Sequence, residues 1–66
     1  MRIIVNGQPE SADAEVTIAS LIEAHNLEAL RVAVEVNEQL VRRRDFEDTQ
    51  LQADDRVEIV TFVGGG

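Results

Sequence analysis

The residues with the clearest chemical use are the last three, Gly64-Gly65-Gly66. Glycine has no Cβ, so three in succession make a slim peptide that can enter a channel too narrow for side chains. The carboxylate of Gly66 could then reach a nucleotide. A carboxylate is a poor electrophile, but adenylation turns it into a mixed anhydride that sulfide or a persulfide can attack. The competing reading of the triplet is a frayed end without a role.

Other candidates are fewer. His25 is the one histidine. It could act as a general base, yet no nucleophile is paired with it in sequence, and a packed or half-exposed structural histidine is the better reading. Arg42-Arg43-Arg44 is the one basic run. It suits either a phosphate or acidic groove or a solvated loop, and three residues are too few for a nucleic-acid patch. The chain has no cysteine, which excludes a disulfide framework, a thiolate zinc site and a cysteine nucleophile. Neither a catalytic pair nor a metal-ligand set can be assembled, so no catalytic and no metal residues are expected.

These residues need elements to hold them. Arg2-Ile3-Ile4-Val5-Asn6 is short, β-branched and apolar, as a strand requires, and Asn6-Gly7 is a two-residue hairpin signal. Gln8 to Ala14 reads as a more polar strand, and Pro9, which lacks a ladder donor, puts it at an edge. Thr17 can cap a helix whose apolar stripe is Ile18, Leu21, Ile22 and His25, with Asn26 as terminator. Arg31 to Asn37 alternates, with Val32, Val34 and Val36 on one face. Asn37-Glu38 is a turn into the short strand Gln39-Leu40-Val41. Asp45 to Leu51 is a loop with room for one helical turn.

Arg56 to Val63 is the last strand. Val57 and Ile59 share its core face; Glu58, Val60 and Phe62 share the other. Two large apolar groups on an outer face beside the glycine end describe a docking surface, with Ile4 of the first strand expected to join Val60 and Phe62. The alternatives are ordinary exposed apolar surface, a small second core under a loop, or a Phe62 that turns inward through twist or a bulge.

Strand, strand, helix, strand, strand, strand is the order of an α+β, β-grasp (ubiquitin-like) fold: a mixed sheet of four to five strands packed on one helix, with the last strand parallel to the first. Residues 1–63 are expected to form this domain and residues 64–66 a flexible C-terminal glycine tail. At 66 residues a substrate-enclosing pocket would consume most of the core, so an enzyme is not expected. No apolar run approaches the ~20 residues that span a bilayer, and a cytoplasmic location is the expectation. Thirteen acidic and six basic residues, all six of them arginine, give a net charge of -7. Such a chain repels nucleic acid and is steered toward basic protein surfaces.

Over its whole length the chain resembles the ThiS family of sulfur carriers of thiamin biosynthesis. Ile3-Ile4-Val5-Asn6-Gly7 is similar to that family's first hairpin, Thr17-Ile18 with Leu21-Ile22 to its helix start, and Val32 to Asn37 with Leu40-Val41 to its middle hairpin. Asp54-Asp55-Arg56-Val57-Glu58-Ile59-Val60 into Val63-Gly64-Gly65-Gly66 resembles its end. The resemblance implies that a ThiF-type adenylating enzyme uses ATP and magnesium to activate Gly66. A sulfur donor such as a cysteine desulfurase relay then makes the thiocarboxylate, and a ThiG-type thiazole synthase receives the sulfur. No cofactor is implied for the carrier itself. The molybdopterin-synthase small subunit shares the fold and a Gly-Gly end, but often has a proline shortly before the glycines, where this chain has Thr61-Phe62-Val63. A ubiquitin-like protein modifier or interaction module is the third alternative.

Overall fold

The computed structural model describes residues 1–62. The end expected to be a flexible glycine tail, Gly64, Gly65 and Gly66, lies outside the described residues, as does Val63. Two tight hairpins frame the sheet. In the first, β1 (Arg2–Val5) turns through Asn6 and Gly7 into β2 (Gln8–Ser11), with Val5 opposite Gln8. Both turn residues have positive φ, 50° and 83°, the conformation a two-residue connection needs to match strand twist. Pro9 sits on an edge strand, as expected. The strand stops at Ser11, short of Ala14; a turn closed by the Val16 amide on the Asp13 carbonyl (3.1 Å) follows.

The helix α1 (Ile18–Ala24) starts at Thr17, whose hydroxyl accepts from the Ser20 amide at 3.1 Å while the Ser20 hydroxyl accepts from the Thr17 amide at 2.9 Å. This reciprocal cap satisfies two amides that a helix start otherwise leaves unpaired. Ile18, Leu21 and Ile22 face the core, and Asn26 (φ 61°) ends the helix in the left-handed conformation. A 3-10 turn, Ala29–Arg31, leads into β3 (Val32–Val36), and Asn37-Glu38 turns the chain into β4 (Gln39–Val41). A second 3-10 turn, Arg43–Asp45, precedes β5 (Arg56–Thr61).

The five strands form one mixed sheet in the order β2-β1-β5-β3-β4, with β5 parallel to β1 and antiparallel to β3. The core lies between one sheet face and α1. A seven-residue helix cannot cover five strands, so the segment expected to be a loop with room for one helical turn completes the core: Phe46 and Leu51 are both buried. That segment is bonded to the helix start, the Ile18 amide donating to Thr49, the Ala19 amide to Phe46, and the Leu51 amide to the Val16 carbonyl at 3.1, 3.0 and 2.9 Å.

Leu21→Ala should therefore cost ~2–5 kcal/mol, a large share of so small a domain's stability. Far-ultraviolet circular dichroism in urea checks this; an unchanged midpoint would show that Leu21 is not core.

Candidate functional site

The site is built on β5, because this strand delivers the chain to its glycine end. Its alternation holds: Val57 and Ile59 are buried, while Val60 and Phe62 are 59% and 54% exposed. Phe62 does not turn inward. Its amide donates to the Arg31 carbonyl at 2.8 Å, which carries the pairing with the β3 side one residue past the strand's end at Thr61.

What locks β5 lengthwise is a pair of asparagines whose part in holding it was not evident from sequence. On the β1 side the ladder covers only Ile4 opposite Arg56 and Val5 opposite Val57. Beyond that, Asn6 takes over. Its amide donates to Val57, its Nδ2 donates to the Ile59 carbonyl at 3.2 Å, and its Oδ1 accepts from the Ile59 amide at 2.8 Å. The side-chain carboxamide thus acts as one more peptide group of β1. On the β3 side Asn37 does likewise, its Oδ1 accepting from the Arg56 amide at 3.0 Å and its Nδ2 donating to Asp55 Oδ1 at 3.0 Å. Each asparagine is also the first residue of a positive-φ turn, and that double duty is the only sequence signal either gives.

The outer face of the sheet orders the remaining candidates. From one end of β5 to the other, Arg56 stands beside Ile4, Glu58 beside Glu35, Val60 beside Ala33, and Phe62 beside Arg31. Ile4 is half-buried and sits at the end away from Val60 and Phe62, so the structure does not bring these three together. It lines instead an open groove of about 430 Å³ with Gly7, Glu35, Glu38, Arg56 and Glu58. Leu40, opposite Glu35 and 69% exposed, adds apolar surface that the sequence reading left out.

His25 is the C-cap of α1, and its Nε2–H donates to both carboxylate oxygens of Glu10 at 2.9 and 3.0 Å. It ties the helix end to the edge strand β2, the structural role of the two considered. Among the described residues no group of three or more His, Asp or Glu is placed to hold a metal ion, and no helix is long and apolar enough to cross a membrane. The arrangement offers a rigid strand, an apolar outer surface beside its exit, and a glycine sequence following it.

A family model described as ThiS family matches residues 3–66. The crystal structure of the thiamine biosynthesis protein ThiS from Geobacter metallireducens superimposes with a TM-score of 0.83 at 33% identity, covering 100% of both chains. A thiazole synthase from Magnetococcus marinus is 39% identical over 66 residues, all of this chain but 20% of that protein. The chain thus spans about one fifth of the length of that relative. An uncharacterized protein, ycf40, from Porphyra purpurea is 34% identical over 64 residues, 97% of this chain and 90% of that one.

Two substitutions test the geometry. Asn6→Asp keeps a residue tolerant of positive φ but sets an oxygen against the Ile59 carbonyl, and should cost about 1–3 kcal/mol in denaturant unfolding. Val60→Ser with Phe62→Ser should leave the thermal melt near native, because both side chains are exposed. A collapsed melt would assign them to the core.

Proposed function

The chain belongs to the ThiS family, and on that premise we propose that it carries sulfur for thiamin thiazole synthesis on the carboxyl group of Gly66. The observation that supports this most is the mounting of β5. The strand is bonded on both edges, is fixed in register by Asn6 and Asn37, and is followed in sequence by Val63-Gly64-Gly65-Gly66. A partner that grips the sheet can therefore aim the glycines at its own active site.

The chemistry belongs to the partner. A ThiF-type adenylating enzyme binds ATP and magnesium. An oxygen of the Gly66 carboxylate attacks the α-phosphorus, pyrophosphate leaves, and an acyl adenylate remains. A sulfur nucleophile, sulfide or one relayed from a cysteine desulfurase, attacks the acyl carbon and AMP departs with the bridging oxygen. With sulfide the product is the thiocarboxylate directly; with a persulfide it is an acyl disulfide, which a thiol of the sulfur-donating partner cleaves, forming a disulfide with the donor sulfur and releasing the thiocarboxylate. The carrier needs no thiol of its own, and it has none. Thiazole synthase is the proposed acceptor, supported by two proteins of that name, from Magnetococcus marinus and Paramagnetospirillum magneticum, that contain a segment similar to this entire chain. The cytoplasm, where such partners meet, is the proposed location.

Val60 and Phe62 are the proposed docking pair. Aromatic anchors at interfaces commonly contribute ~2 kcal/mol or more. The Val60→Ser, Phe62→Ser variant should thus bind the adenylating enzyme at least tenfold more weakly by calorimetry, on the order of 1.4 kcal/mol or more. Unchanged binding would move the partner surface elsewhere.

Gly66 itself is tested by intact mass. After incubation with the adenylating enzyme, ATP and sulfide, the chain should gain the difference between one sulfur and one oxygen, localised to Gly66. Deleting Gly66, or extending the chain beyond it, should abolish ATP–pyrophosphate exchange. Undiminished exchange, or a mass gain elsewhere, would defeat the assignment.

A further inference from the structure

The arginine run Arg42-Arg43-Arg44 has no part in the function as proposed above, yet the topology sets it beside the last described residues of β5. Both β4 and β5 run antiparallel to β3 and therefore parallel to each other. They finish at the same end of the sheet, Val41 opposite Val34 and Thr61 opposite Val32. Arg42 keeps an extended backbone (φ −73°, ψ 146°), so the count continues and places it alongside Ala33, whose other neighbour is Val60. Period-two alternation from Leu40 puts Arg42 on the outer face. The start of β3 is thus flanked by the arginine run on one side and by Phe62 on the other. With strands ~4.8 Å apart, about 10 Å separates the two flanks.

The side chains have distinct fates. Arg43 turns back, its Nε donating to the Ala29 carbonyl at 3.1 Å, and so pins the run to the 3-10 turn ahead of β3. Arg31 reaches Glu28 at 3.5 Å. Arg42 and Arg44 are exposed and form no ion pair among the described residues, although Asp45, Glu47 and Asp48 follow closely in the chain. The opposite end of the same face carries Glu35, Glu38 and Glu58 together with Arg56. In a chain of net charge -7, unpaired cations at the exit of the last strand run against the overall field.

We propose that Arg42 and Arg44, with Arg31 beside them, form a cationic collar that docks on carboxylates of the adenylating enzyme around the entrance admitting the glycine end. This rests on the carrier reading above. A protein surface fits better than a phosphate: Arg43 is held by the Ala29 carbonyl and Arg31 by Glu28, which leaves two exposed arginines and not a closed set of donors for one anion. They are instead spread beside the exposed apolar pair Val60 and Phe62. The far end, where Glu35, Glu38 and Glu58 outnumber Arg56 in the groove, and the arginine run at the near end also orient the carrier, because a reversed approach sets the acidic groove against the partner's carboxylates.

The test is ATP–pyrophosphate exchange with the full chain and the adenylating enzyme, varying carrier at low and moderate salt. Arg42→Gln with Arg44→Gln should raise KM for the carrier about five- to tenfold at low salt, and added salt should shrink the difference. The kcat and the KM for ATP should not move. Arg42→Lys with Arg44→Lys, which keeps the charge, should recover most of the loss. The control pair Arg2→Gln with Arg56→Gln makes the same charge change at the other end and should move KM for the carrier less than about twofold. Equal effects of the two glutamine pairs would overturn the collar in favour of a general field effect. A raised KM for ATP would overturn it in favour of a nucleotide phosphate as ligand. No effect of the collar pair, with active wild type, would overturn the collar and leave the carrier reading standing; an inactive wild type would overturn both.

Discussion

The architecture depends on β5 being held between β1 and β3. The last strand in sequence is the middle strand in space, and it joins two hairpins that otherwise share no ladder. Its bonding is lopsided. Five Cα pairs face β3, but only two face β1. A part-buried strand cannot leave its amides and carbonyls unpaired on one edge without losing about 1–3 kcal/mol for each such group. The Asn6 carboxamide removes that penalty at Ile59 from 53 positions away. A residue chosen for a tight turn thereby also sets how far β5 slides relative to β1.

Fixing β5 fixes both faces of the sheet at once. Side chains alternate, so the register that buries Val57 and Ile59 under α1 also turns Val60 outward and carries Phe62 with it. The core and the proposed docking surface are two readings of one alternation, and neither can shift without the other. The outer face is sorted along its length. Glu35 stands directly opposite Glu58, a like-charge pairing that costs stability in isolation and that a basic partner group would relieve. Val60 and Phe62 follow toward the exit, beside Arg31 and the arginine run. A surface graded in this way distinguishes approach directions, which a uniformly apolar patch does not.

Features governed by near neighbours were legible in the sequence. Asn6-Gly7, Thr17 with Ile18, Leu21 and Ile22, and the valines at 32, 34 and 36 report turn, cap, helix face and strand face through fixed local spacings. Phe46 and Leu51 were not legible as core, because each is an isolated apolar residue in a polar segment with no period to expose it. Ile4 shows a different limit. Alternation tells which face a side chain takes but not where along the neighbouring strand it falls, and the parallel register puts Ile4 at the wrong end for Val60. The asparagine clamps belong to the same class, since their partners are set only by the assembled sheet. Of the site, the exposed pair Val60 and Phe62 was readable from parity alone, while the relation of Arg42 to the exit needed two ladders to be laid side by side.

The central position of β5 also bears on how the protein comes into being. A ribosome releases the strands in the order β1, β2, β3, β4, β5, so the piece that unites the sheet arrives after the others. Both hairpins can close as soon as they emerge, but β1 and β3 have nothing between them until β5 appears. A nascent chain halted inside β5 leaves apolar faces of two hairpins and a short helix without a common core, a substrate for proteases. The same topology that steadies the exit of the chain makes folding report on completed synthesis of everything up to that exit.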